Sequence, residues 1–304
     1  MTAAIIDGRG VADEVLLLLA PRIEQLRLRG ITPGLVALRV GDDPASEIYV
    51  RLKARKAEEI GLRGIQKHLP SSISRQELLS EIRSLNQDDA VDGILLQLPL
   101  PAHLDAKEIL DAIDPRKDVD GFHPLNVGKL HQGRPSLLPC TPAGVIRLIE
   151  STGTDLRGKR AVVVGRSDIV GKPAAALLLR KDATVTLAHS KSTDLAAIVR
   201  EAEILVAAAG RACMVTADMI RPGAIVIDVG INRVDKDSPQ ASRIRDPRKL
   251  ELLETKGFAV VGDVEYHGAR EVASWITPVP FGVGPMTIAM LMANTVQSAE
   301  ERRG

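Results

Sequence analysis

The chain has 304 residues, 45% of them hydrophobic, which is enough for two medium-sized domains with their own cores. A formal net charge of +1 offers no general attraction to nucleic acid or anionic lipid, and one tryptophan, two tyrosines and three phenylalanines cannot furnish a base-stacking platform. Two cysteines, Cys140 and Cys213, and six scattered histidines without an HExxH-like spacing exclude a disulfide framework and a four-ligand metal site, so no metal and a reduced cytoplasmic setting are expected.

The N-terminus MTAAIIDGRG lacks a basic segment followed by an apolar run. Apolar stretches such as Val15 to Pro21 and Ile204 to Gly210 are too short to span a bilayer, so a soluble, non-exported protein is expected. In chain order, aliphatic runs recur at 35–40, 91–98, 161–165, 184–188, 203–210, 224–230 and 258–264, with helical segments between them. They show little alternation, as parallel strands covered on both faces by crossover helices should, so the pattern predicts an α/β protein with doubly wound sheets. The Pro/Gly-rich segment 131–144 separates two groups of strands. A second such segment, ITPVPFGVGPM at 276–286, precedes a last apolar helix that is expected to return to the first domain. The expected division is therefore 1–142, completed by 286–304, and 143–285.

Four segments carry candidate chemistry. A helix beginning near Ser46 places Tyr49 and Lys53 one turn apart on one face. Arg51, Arg55 and Lys56 surround Lys53 in sequence, and like charges disfavour a protonated amine, so Lys53 is a candidate neutral base; a solvated basic helix face is the plainer alternative. Gln97, after GILLQ, and Asp118 and Asp120, in KDVDG, follow apolar elements, where ligands bind in open α/β sheets. Gln97 can orient the Lys53 amine, and the aspartates can accept hydrogen bonds from a heterocycle or serve as turn residues.

After the strand AVVVG, the turn Gly165-Arg166-Ser167-Asp168-Ile169-Val170-Gly171 opens a helix, in the order that brings backbone N–H groups to a pyrophosphate. The spacing is GxxxxxG rather than GxGxxG, so a tight strand–helix turn is the alternative. At the next strand end, where NAD sites carry an acid for the ribose, His189-Ser190-Lys191-Ser192 offers hydroxyls and a cation, and no carboxylate occurs before Asp194. That composition favours the 2′-phosphate of NADP, with an ordinary polar loop as the alternative.

Together these segments closely resemble the bifunctional methylenetetrahydrofolate dehydrogenase/methenyltetrahydrofolate cyclohydrolase family. The matching stretches are 45–53, 92–101, 117–130, 139–144, 164–173, 189–191, 227–232, 262–264 and 276–287, nine in one order across the chain. The resemblance implies a folate-binding catalytic domain followed by a Rossmann-like NADP domain, and a homodimer through the latter. It implies that Tyr49 stacks on the folate, that Lys53 is the catalytic lysine oriented by Gln97, and that Asp120 anchors the pterin. Ser46, Asp118 and Pro285 are implied to support substrate binding. Gly165, Arg166, Ser167, Ser190, Lys191, Ile231 and Thr287 are implied to contact the cofactor, with Gly282 to Thr287 closing over nicotinamide and substrate. A monofunctional enzyme of the same fold and a binding protein without turnover are the rivals. Three features depart from the family pattern: Phe281 stands where glycine is usual, HSKST carries one extra residue, and 233–257 is a longer, charge-rich excursion expected on the surface beside the cofactor domain.

Overall fold

The structure is a computed structural model and describes residues 2–304. In chain order the strands are β1 (Ala4–Ile5), β2 (Gly34–Val40), β3 (Arg63–Leu69), β4 (Gly93–Leu96), β5 (Arg160–Val164), β6 (Thr184–Ala188), β7 (Ile204–Ala207), β8 (Ile225–Asp228), β9 (Asn232–Asp235), β10 (Phe258–Val261) and β11 (Trp275–Ile276). The α-helices are α1 (Gly8–Leu28), α2 (Pro44–Glu59), α3 (Arg75–Gln87), α4 (Ala106–Asp111), α5 (Pro124–His131), α6 (Cys140–Glu150), α7 (Gly171–Arg180), α8 (Leu195–Arg200), α9 (Pro247–Lys256), α10 (Tyr266–Arg270) and α11 (Val283–Arg303). The chain divides into two compact units, one of Asp13–Cys140 with Ile288–Gly304, the other of Thr141–Thr287 with the segment that ends at Ala12.

The first unit is built on a parallel sheet in the order β3-β2-β4, with Val36 opposite both Ile65 and Ile94. The central strand β2 is buried along nearly its whole length, as an uninterrupted aliphatic run between two helical layers must be. Strand β3, RGIQKHL, did not stand out in the sequence because it is an edge strand whose exposed positions are charged or polar. One side of the core joins Leu35, Ala37, Val50 and Leu95 to Leu291, Met292, Val296 and Ala299 of α11, so the last helix packs into this unit as expected. Polar contacts pin the same helix. The buried Asp92 carboxylate is held by Arg302, at 2.8 Å, and by Arg303, while the Ser298 hydroxyl donates to the carbonyls of Asp92 and Arg116.

Lys117 is also buried in this unit. Its ammonium donates to the carbonyls of Leu85, Asn86 and Asp88 at 2.9, 2.7 and 2.8 Å, so a lysine from a distant loop satisfies the orphan carbonyls at the end of α3. Burial pushes this amine down to about 8.

The second unit holds a six-stranded parallel sheet, β1-β11-β8-β7-β5-β6. Strand β1 departs from the expected boundary: Ala4 and Ile5 pair with Trp275 and Ile276, and the Ile6 N–H donates to Ile276. A two-residue edge strand leaves no periodic signal, so tertiary pairing alone assigns it. The excursion at 233–257 is also more ordered than a surface loop. Strand β9 pairs antiparallel with β10 outside the main sheet, and Val234, Ile244, Leu253, Ala259 and Val261 form a small core with Ala212 and Cys213. Among the described residues no helix is long and apolar enough to cross a membrane.

Candidate active site

In the first unit, α2 begins two residues earlier than expected because Asp43 caps it, its carboxylate accepting from the Ser46 N–H at 2.7 Å, and Pro44 takes the first helical position. Ser46 is therefore buried at the helix start, while Tyr49 stays 44% exposed and Lys53 lies one turn further on. The Lys53 ammonium donates to Oε1 of Gln97 at 3.0 Å. Two contacts fix that glutamine: its backbone N–H donates to Leu38 at 2.8 Å, continuing the β2–β4 pairing, and its Nε2 donates to the Leu98 carbonyl at 2.9 Å. With the amide NH₂ committed to Leu98, only the amide oxygen can face the lysine.

The like-charge crowding expected around Lys53 is not what the helix builds. Arg51 lies 4.0 Å from Glu47, and Arg55 and Lys56 both reach Glu59, at 3.0 and 2.6 Å. Each basic neighbour is therefore paired with a carboxylate, Arg55 and Lys56 sharing Glu59.

The KDVDG loop separates its two aspartates by role. Asp118 is buried, and its carboxylate accepts from the N–H groups of Phe122 and His123, at 3.2 and 2.8 Å, and from Asn126 Nδ2 at 2.9 Å. Its oxygens face their own loop, which differs from the expected acceptor for a heterocycle. Asp120 makes no such side-chain bonds among the described residues, and its backbone carbonyl accepts from the Cys140 N–H. Burial pushes the Asp120 carboxyl up to about 6, opposed by the charge of Lys53 and reinforced by that of Asp118. Gly121 turns the chain at φ 74°, where an added Cβ would sit 2.5 Å from the Leu138–Pro139 peptide. Cys140, buried behind the loop with its thiol pushed well up by desolvation, is unsuited to nucleophilic chemistry.

In the second unit, Gly165 follows β5 at φ 129°, and a Cβ there would lie 2.0 Å from the Ala208 carbonyl oxygen. Gly171 is similarly constrained, since its Cβ would lie 2.0 Å from the Gly165 oxygen. Both glycines are thus required by close backbone approach at the mouth of α7. The Ser167 hydroxyl accepts from the N–H groups of Val170 and Gly171 at 3.2 Å each, which leaves its own proton for an outside acceptor. Arg166 is exposed in the same turn. Strand β6 adjoins β5, so the exposed Ser190 and Lys191 follow the neighbouring strand end. The additional residue in HSKST is absorbed in a turn, in which the Ser192 hydroxyl accepts from the His189 N–H at 2.9 Å.

Two carboxylates that the sequence reading passed over organise the remaining strand ends. Asp263 accepts from the N–H groups of Ala209, Gly210 and Arg211 and from Asn232 Nδ2, at 2.6 to 2.9 Å. Asp228 accepts from Gly230, Asp263 and Val264, and its burial pushes the carboxyl up to about 7. The only signal for them was an acid directly after a buried strand, in IDVG and GDV. Ile231 is 57% exposed between these two anchors. Pro285 and Thr287 lie in the first turns of α11, and the Thr287 hydroxyl is 2.9 Å from that of Thr141.

A family profile described as the tetrahydrofolate dehydrogenase/cyclohydrolase catalytic domain matches residues 6–120, and one described as the NAD(P)-binding domain of the same enzymes matches 139–303. The chain belongs to the tetrahydrofolate dehydrogenase/cyclohydrolase family. It is 52% identical over 302 residues to a bifunctional protein FolD from Solibacter usitatus, covering 99% of this chain and 98% of that one. Among solved structures it is similar to the bifunctional FolD methylenetetrahydrofolate dehydrogenase/cyclohydrolase of Campylobacter jejuni, with a TM-score of 0.89, 43% identity and 99% of each chain covered. It is also similar to the Trypanosoma brucei methylenetetrahydrofolate dehydrogenase-cyclohydrolase complexed with NADP cofactor and inhibitor, with a TM-score of 0.88, 40% identity and 100% of each chain covered. This family membership makes the α/β, two-unit architecture that of a dehydrogenase/cyclohydrolase.

Proposed function

We propose that this protein oxidises 5,10-methylenetetrahydrofolate to 5,10-methenyltetrahydrofolate with NADP and then hydrolyses the product to 10-formyltetrahydrofolate. The observation that carries the reading is the Lys53–Gln97 pair beside the elevated Asp120 carboxyl, in a chain of this family.

NADP fits the second unit. The Gly165 turn is a cradle that one methyl group would fill, α7 opens directly behind it, and the donors at the end of β6 include Ser190 and Lys191 and no carboxylate before Asp194. Arg166 and Ser167 would hold the pyrophosphate, Ser190 and Lys191 the 2′-phosphate, and Gly165, Ile231 and Thr287 would complete the contacts. When bound, NADP accepts the hydride.

The chain's own residues supply position and proton transfer. Tyr49 stacks on the folate ring system, Asp120 accepts hydrogen bonds from pterin N–H and amino groups, and Asp118 positions Asp120 by tying down its loop. Ser46 and Pro285 support the substrate. Loss of hydride leaves a cation shared by two nitrogens, so the first reaction needs alignment rather than a base. Hydrolysis needs both donor and acceptor. As the water oxygen bonds to the methenyl carbon, Lys53 takes one water proton and delivers it to N5 as the carbon–N5 bond breaks; the second proton leaves to solvent as the formyl C=O forms. Gln97 keeps the amine aimed throughout. A cytoplasmic homodimer that supplies formyl groups to biosynthesis, including that of purines, accompanies this reading on the strength of the family resemblance.

The test is an assay of purified enzyme with 5,10-methylenetetrahydrofolate and NADP or NAD, following reduced nicotinamide and methenyltetrahydrofolate separately. Reduction of NADP with little standing methenyl product, plus hydrolysis of added methenyltetrahydrofolate, is expected. Stoichiometric methenyl accumulation would mean a dehydrogenase alone, and no reduction with either nucleotide removes the dehydrogenase.

A further inference from the structure

The excursion at 233–257 forms part of the wall of an open cavity of about 370 Å³ within the second unit, inside the range of about 300–1,000 Å³ typical of small-molecule sites. Its walls are mainly apolar and include Ile244 and Leu252 from the excursion and Val264 and Val279 from the body of the unit. None of Gly165, Arg166, Ser167, Ser190, Lys191 and Ile231 lines it.

Its polar groups are unbalanced toward donors. Three acids line it, but each is already used: Asp228 accepts three backbone N–H groups, Glu265 accepts those of His267 and Gly268, and Asp246 caps α9 by accepting from Arg248. Lys249, half-buried, spends one donor on the Val279 carbonyl at 2.9 Å and makes no ion pair among the described residues. The Tyr266 hydroxyl and the Arg248 guanidinium have no hydrogen-bond partner among the described residues, and both line the same cavity. Arg248 and Lys249 also occupy the first turn of the ten-residue α9, where the helix dipole disfavours cations. That arrangement costs stability in the empty chain and is offset when an anion sits against the two side chains.

We propose that this cavity is a binding site for a small monocarboxylate with an apolar body, its tail against Ile244, Leu252 and Val264 and its carboxylate on Lys249 and Tyr266, with Arg248 at the rim. The carboxylate takes the spare donors of Lys249, next to the carbonyl of Val279, so occupancy bears on the segment that leads to Phe281 two residues later.

The experiment is calorimetric titration of the full-length enzyme, saturated with NADP, with sodium octanoate and separately with octan-1-ol. Its readout needs no turnover, so it stands apart from the assay of the two activities. One octanoate per chain, bound much more tightly than octanol, is expected. Lys249→Met should weaken octanoate about tenfold or more, the loss of a charged hydrogen bond, and Leu252→Trp should abolish binding by filling the cavity. Absence of binding to the parent enzyme, equal affinity for octanol, or octanoate affinity unchanged by Lys249→Met would overturn the proposal. Octanoate binding that is seen only when NADP is left out would overturn it as well, by placing the ligand in the nucleotide site. Circular dichroism establishes that each variant is folded, and the Lys249 variant decides the question if the tryptophan variant is not.

Discussion

In the unit of Asp13–Cys140 the candidate chemistry sits on side chains that hold one another: Lys53 on Gln97, Gln97 on Leu98, Asp118 on its own loop. In the unit of Thr141–Thr287 it sits on main chain, where glycines allow carbonyls to approach within reach of a missing Cβ and buried aspartates gather the N–H groups of strand ends. The difference teaches which kind of change each half tolerates. A side-chain site can lose its reaction while keeping its fold where the group removed is partly exposed, as Lys53 and Gln97 are. A backbone site cannot accept one extra carbon without moving the strands that form it.

The largest effect should come from Lys53→Met. Cyclohydrolase turnover is expected to fall about 10²–10⁴-fold with the melting temperature little changed and folate still bound, since only the proton-transfer group is lost. Unaltered hydrolysis of added methenyltetrahydrofolate would break the side-chain half of the comparison.

Gly165→Ala is the counterpart in the other unit. The new methyl meets the Ala208 carbonyl at a φ that L-residues rarely adopt, so a stability loss of about 2–4 kcal/mol should accompany the loss of NADP binding. A variant that melts normally and still reduces NADP would show that this turn is not a backbone cradle.

A smaller, pH-dependent effect belongs to Asp120. Its folded value of about 6 lies above the ordinary 3.8, so the folded chain holds this proton more tightly than the unfolded chain. The resulting stabilisation is complete below 3.8 and is lost as pH rises through about 6. Substrate binding runs the other way, because the anion is the better acceptor. KM for the folate should therefore rise as pH falls through about 6, and Asp120→Asn should flatten that profile. A parent enzyme with constant KM across this window would remove Asp120 as the anchor.

The smallest change is expected at Phe281, which adopts φ 82° with the Arg9 guanidinium 3.7 Å from its ring centroid. Relief of backbone strain in Phe281→Gly, about 1–2 kcal/mol, is opposed by loss of a cation–π contact of about 0.5–1 kcal/mol and by the greater chain entropy of glycine. Net stability should move by less than about 1 kcal/mol in thermal denaturation; a large loss would mean that the aromatic ring holds the 278–282 segment.

Much of this architecture was legible in the residues. Aliphatic runs without alternation marked the strands of two parallel sheets, and the segment 131–144 marked their separation. The Tyr49–Lys53 spacing and the glycine turn also survive as read. The strands that escaped were β3, β9 and the two-residue β1 and β11, because edge position or brevity removes the hydrophobic signal. Among site residues, Lys117, Asp228 and Asp263 look like ordinary charged residues of loops and strand ends. Their roles depend on which carbonyls and N–H groups converge on them from elsewhere in the chain.

By itself the sequence determined the α/β class, the family and the residue types at each candidate site position, since these follow from local periodicity and from motifs a few residues long. Only the tertiary structure decided the orientation of Gln97, the division of labour between Asp118 and Asp120, the pairing of the basic residues around Lys53 with glutamates, and the order within 233–257. Each of these rests on contacts between groups that the chain brings together only when folded, where burial and hydrogen-bond supply, rather than residue type, set what a side chain can do.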